Sequence, residues 1–80
     1  MNLKPIATEK AIMKVETENV MTFLVDQKTT KQEIKKEIED LFKVKVDEVR
    51  TQIRNNKKIA YVKLNKKDLA IDLATKLGLM

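Results

Sequence analysis

The 80-residue sequence predicts an α+β fold: three strands in one antiparallel sheet, with helices covering one of its faces. Three observations lead there. Val20 to Val25, Asp47 to Arg54 and Lys58 to Leu64 are rich in β-branched and aromatic residues or alternate in polarity, as half-buried strands do. Two further segments repeat apolar residues at helical spacing. Asn55-Asn56 separates the last two strands with residues that tolerate left-handed backbone angles, a hairpin signal.

Taken in order, Asn2 to Ala7 is an extended lead-in, because Pro5 disfavours helix at the residue before it. Thr8 can cap a short helix to about Glu16, with Ala11, Ile12 and Val15 on its apolar side, and Thr17-Glu18-Asn19 breaks the pattern. In the first strand Met21, Phe23 and Val25 share one face and Val20, Thr22 and Leu24 the other, and Asp26 to Thr29 is a turn. Thr30-Lys31-Gln32-Glu33 is a capping box that starts the main helix. Ile34, Ile38, Leu41 and Phe42 form its core stripe, and Lys35–Glu39 and Lys36–Asp40 are i,i+4 pairs on the wet side. The second strand sets Val49, Thr51 and Ile53 against Arg50, Gln52 and Arg54. The third points Ala60, Val62 and Leu64 inward and Ile59, Tyr61 and Lys63 outward. Asn65 to Asp68 can cap a last helix with Leu69, Leu73 and Leu77 as its stripe, and Gly78 supplies the C′ stop.

The order is therefore helix, then β-α-β-β-α. Right-handed crossover places the third strand between the first two, antiparallel to both, in a ferredoxin-like half-fold with one face of the sheet open. The whole of residues 1–80 is expected to form a single domain. A chain of this size buries only about 60–65% of its unfolded surface, so its stability is expected to be small and help from a partner fits.

Charge points to the kind of partner. The net charge is +5, and Arg50, Arg54, Lys57, Lys58, Lys63, Lys66 and Lys67 stand within residues 49–67 without one acid. Such a stretch is an electrostatic footprint for a polyanion. A merely solvated face usually mixes both signs. Arg50, Arg54, Lys57, Lys58 and Lys63 are the candidate phosphate contacts. Lys28 and Lys31 flank the start of the main helix, where the dipole also favours phosphate. Tyr61 reads two ways, as a platform for a base or sugar or as an edge or partly covered tyrosine. The sheet lacks the aromatic pair of a sequence-reading RNA recognition motif, so recognition of folded RNA by shape and backbone is expected.

The inventory argues against catalysis. There is no Cys, His or Ser, which removes disulfides, thiolate and serine nucleophiles, imidazole bases and the usual zinc ligands. Gly78 is the only glycine, so no Gly-rich phosphate loop exists. Carboxylates such as Glu37 and Asp40 sit among lysines and read as a solvated helix face. An acylphosphatase-like enzyme shares this general fold but needs a phosphate-cradling loop, which the sequence lacks. No cofactor, metal or small-molecule substrate is expected. With no apolar h-region after Met1 and no long apolar run, neither a signal peptide nor a membrane span is expected, and the cytoplasm is the expected place.

Several motifs fall in a familiar order. Thr30-Lys31-Gln32-Glu33-Ile34-Lys35 with Leu41-Phe42, Val49-Arg50-Thr51-Gln52-Ile53-Arg54, and Lys57-Lys58-Ile59-Ala60-Tyr61-Val62-Lys63-Leu64 closely resemble the family of large-subunit ribosomal protein twenty-three. Pro5-Ile6-Ala7-Thr8-Glu9-Lys10-Ala11 resembles its N-terminal signature. The resemblance covers nearly the whole chain. It implies a structural protein at the rim of the polypeptide exit tunnel, bound to large-subunit ribosomal RNA beside neighbouring ribosomal proteins. It also implies a docking point for nascent-chain factors. Lys10 joins the RNA-binding candidates as part of the N-terminal motif, and Glu9 matches the acid that docks the chaperone trigger factor in bacterial members. Bacterial members carry a long Gly-rich basic loop between the last two strands, where this chain has only Asn55-Asn56-Lys57. That is similar to the archaeal form, for which signal recognition particle is the expected visitor.

Overall fold

The computed structural model describes residues 3–79. The elements run β1 (Lys4–Pro5), α1 (Glu9–Glu18), β2 (Val20–Val25), α2 (Lys31–Phe42), β3 (Val46–Arg54), β4 (Lys57–Leu64) and α3 (Ala70–Lys76). The α+β class and the central place of the last strand are borne out: β4 lies between β2 and β3, antiparallel to both. The strand count is corrected from three to four, in the order β1-β2-β4-β3. The extended lead-in pairs with β2, Lys4 opposite Leu24 and Pro5 opposite Phe23. An edge position tolerates a proline because one side of the strand needs no amide donor. Asn2, expected to begin the lead-in, lies outside the described residues.

Local chemistry sets most boundaries. The Thr8 hydroxyl accepts from the Ala11 amide at 3.2 Å, and the Thr30 hydroxyl does the same for Glu33 at 3.2 Å. Asn55 and Asn56 both take positive φ, 52° and 62°, the type I′ geometry whose twist matches a two-residue hairpin. After α3, Gly78 (φ 75°) donates to the Thr75 carbonyl and Leu79 to that of Ala74, a Schellman end as expected. Between Val46 and Glu48 the β3 register shifts, as at a bulge.

Two helix readings are corrected. Leu41 is 57% exposed rather than core. Phe42 turns inward to stack on Phe23, ring centroids 6.3 Å apart, and at about 100° per residue its predecessor then points away. Leu69 is also exposed, since it is the N-cap of α3 rather than part of its stripe, and the buried side of α3 is Ala70, Leu73 and Ala74. The cap of α3 comes from far upstream, not from Asn65 to Asp68. Asn19 ends α1 in the left-handed region (φ 58°), and its Oδ1 accepts from the Ala70 amide at 2.6 Å. Its Nδ2 donates to the carbonyls of Leu64, Asn65 and Asp68 at 3.1–3.2 Å. One side chain thus ties the end of α1 to the end of β4 and the start of α3.

The core lies between one sheet face and α2 and α3. Met21, Phe23, Val25, Ala60, Val62 and Leu64 meet Ile34, Ile38, Leu73 and Ala74, with Val15 of α1 joining from the β2 side. α1 packs against β2 and α3. The opposite face of the sheet carries the site.

Candidate nucleic-acid interface

Strand register assembles this face row by row, because every second residue points the same way. Val20, Lys63 and Glu48 stand side by side across β2, β4 and β3. The next row is Thr22, Tyr61 and Arg50; the next is Leu24, Ile59 and Gln52. Arg54 and Lys57 form the last pair, beside the turn, and Lys4 extends the Leu24 row onto β1. Arg50, Arg54, Lys57 and Lys63, four of the five hairpin cations expected to touch phosphate, therefore share one face with Tyr61, and all four are exposed.

Lys58 does not belong with them. It falls in the phase of Ala60, Val62 and Leu64, so it points to the covered side. It is half-buried, and its ammonium donates to the Thr29 carbonyl, tying β4 to the turn before α2. A count of charge along the chain cannot separate Lys57 from Lys58; the strand period can. Lys28 and Lys31 are exposed near the N-terminal end of α2, where Asp26 and Glu33 share their surroundings. Glu9 and Lys10 open α1 and are exposed. These four residues lie on helices and turns, not on the sheet's open face.

The face is less uniformly basic than the 49–67 stretch suggests. Glu48, one residue outside that stretch, accepts from Arg50 Nε at 3.1 Å, and Glu18 pairs with Lys14 at 3.6 Å. Both pairs are solvent-exposed and hence weak. Among the described residues Arg54, Lys57 and Lys63 have no ion-pair partner.

Tyr61 sits on the interior strand rather than at an edge and is half-buried. Its hydroxyl donates to Gln52 Oε1 at 3.2 Å, and the Lys14 ammonium stands 5.2 Å from its ring centroid. Lys14 and Lys4 are the cations that sequence reasoning missed. Lys14 adjoins the buried Val15 in α1, a flank from which a lysine stem can run along apolar surface and deliver its charge elsewhere. Lys4 became legible only through the β1 register.

Comparison with known proteins fits this geometry. Residues 1–73 match the family model described as Ribosomal protein L23. The chain is 43% identical over 77 residues to the large ribosomal subunit protein uL23 of Methanothermobacter thermautotrophicus, spanning 95% of this chain and 90% of that one. It is 48% identical over 77 residues to uL23 of Pyrobaculum aerophilum, spanning 94% of each. Against uL23 of Trypanosoma brucei brucei it is 44% identical over 77 residues, 95% of this chain but 47% of that longer protein.

Proposed function

The chain belongs to the ribosomal protein L23 family and is a structural component of the large ribosomal subunit, not an enzyme; on that premise we propose that it binds large-subunit ribosomal RNA through the open face of its sheet. One observation carries the reading. Arg50, Arg54, Lys57 and Lys63 share with Tyr61 the face that α2 and α3 leave uncovered. Cations held on a rigid sheet meet a phosphate backbone without reordering and supply affinity independent of sequence. We read residues 1–80 as one RNA-binding domain at the rim of the polypeptide exit tunnel, in contact with neighbouring large-subunit proteins. The two-residue turn at Asn55-Asn56 makes the hairpin an anchor and leaves no probe to reach down the tunnel.

The docking role rests on α1. Glu9 and Met13 share one helix face at i,i+4 spacing, and Met13 is 60% exposed, so the surface offers a charge beside an apolar contact. A factor such as signal recognition particle is the proposed visitor.

Sedimentation tests the main reading. The protein is expected to travel with large subunits at moderate salt and to leave them at high salt, since each neutralised phosphate adds to the salt dependence. Protein that stays free of intact subunits at moderate salt overturns it. For docking, Glu9→Ala is expected to reduce factor recruitment with RNA binding unchanged; an equal fall in both means that the two surfaces are not separate.

A further inference from the structure

The open face has a hollow beside Tyr61. Lys14, Arg50, Gln52, Tyr61 and Lys63 line a depression of about 500 Å3 together with the acids Glu18 and Glu48, so three cations there outnumber two carboxylates. That is within the range of small-ligand sites, roughly 300–1,000 Å3, and it takes one nucleotide, not a helix. Arg54 and Lys57 lie outside it, toward the hairpin tip. The face thus has two zones: a tip that offers charge alone, and a hollow that joins an aromatic ring to charge and a side-chain amide.

We infer that this hollow seats a single unstacked nucleotide of an RNA chain, its base on the Tyr61 ring and its phosphate between Lys14 and Lys63. The inference rests on the RNA-binding reading and names what the Tyr61 zone of that surface takes. Lys14 is the movable part. Its ammonium now stands over the ring, 5.2 Å from the centroid, and its one ion pair among the described residues is the exposed one with Glu18. Both restraints are weak, so a base can take the ring and Lys14 can turn to the phosphate of the same nucleotide, trading a cation–π contact for a charge-assisted one. Gln52 faces the same space. Its Oε1 is taken by the Tyr61 hydroxyl, which leaves its Nε2 to donate to a base acceptor. A duplex keeps its bases stacked and presents none to the ring.

Tyr61 is the only tyrosine, so the full chain labelled with 3-fluorotyrosine gives one 19F resonance that reports this ring alone. The probes are a uridine octanucleotide, a G·C-rich RNA duplex of twelve base pairs, and free uridine monophosphate. Binding of each RNA is followed separately by anisotropy of a dye on its end. The octamer is expected to move the resonance, and the duplex to bind without moving it. Lys14→Ala is expected to preserve the shift at saturation while weakening the octamer two- to fivefold. Equal shifts from octamer and duplex, or octamer binding with no shift, overturn the nucleotide site and leave the RNA reading standing. Failure of both RNAs to bind overturns both readings. Tighter binding of the monophosphate than of the octamer makes the ligand a free nucleotide and overturns the assignment to RNA.

Discussion

Lys57 and Lys58 are consecutive cations in one strand, and they serve opposite faces. Lys57 is exposed, paired across the hairpin with Arg54, and has no ion-pair partner among the described residues. Lys58 points to the side where Ala60, Val62 and Leu64 are at most 1% exposed, and its ammonium is engaged by the Thr29 carbonyl. The basic hairpin is therefore not one functional object. Its open face is free to bind because nothing in the fold needs those side chains. Its covered face packs into the core through Ala60, Val62 and Leu64.

The covered side is the more sensitive to substitution. Phe23 is 1% exposed and stacks on Phe42. Phe23→Ala is expected to cost about 3–5 kcal/mol, against a total of roughly 4–12 kcal/mol for a domain of this size. Urea unfolding followed by circular dichroism reads it, and a loss under about 1 kcal/mol would show that this face is not the core. Asn19 comes next. Asn19→Gly keeps the left-handed backbone but removes four hydrogen bonds, for an expected loss of about 2–3 kcal/mol. Asn19→Ala is expected to cost about 1 kcal/mol more, because alanine resists φ 58°. Equal losses in the two variants would mean that the backbone angle is not strained.

The two faces are then set against each other directly. Arg54→Ala with Lys57→Ala is expected to lower the slope of log affinity for RNA against log salt by about 1.5–2, with stability unchanged to about 0.5 kcal/mol. Lys58→Ala is expected to do the reverse: an unchanged slope and a stability loss of about 1 kcal/mol from the orphaned Thr29 carbonyl. If Lys58→Ala flattens the slope as the double variant does, the division by face fails and charge along the chain is what counts.

That division shows how far the sequence could be read. Alternation in β4 already assigned Tyr61 and Lys63 outward and Ala60, Val62 and Leu64 inward, and both hold. The same alternation places Lys58 inward, but the charge of residues 49–67, counted along the chain, puts it with the candidate phosphate contacts. The order of the three long strands was legible because crossover handedness allows few arrangements. β1 was not legible: a two-residue strand has no period to detect, and only the register against β2 defines it. The α3 cap was not legible either, because its donor-acceptor partner is Asn19, and a contact that far along the chain leaves no local signal. For the site, the hairpin cations were readable and Glu48 was too, since alternation puts it two residues before Arg50 on the same face and only a charge count begun at residue 49 passes it over. Glu18 was not readable: it lies on α1, outside the strand period, and meets this face beside Lys14.

Glu48 gives the smallest effect and the finest test of the open face. Its carboxylate holds Arg50 Nε at 3.1 Å, both side chains largely in water, so the pair adds little to the fold. On the proposed RNA-binding reading, it withholds one cation from RNA and places a negative charge beside the phosphate path. Glu48→Gln keeps the shape and removes that charge. Stability is expected to change by less than about 0.5 kcal/mol. RNA affinity is expected to rise about two- to fivefold at low salt, with the salt slope steeper by up to about 0.7–0.9 as Arg50 takes a phosphate of its own. Filter binding across a salt series separates the two parts. A rise in affinity without a steeper slope means that relief of repulsion acts alone and Arg50 stays off the backbone. A fall in affinity means that the Glu48 carboxylate itself accepts from the RNA, and the open face then recognises its ligand with acids as well as bases.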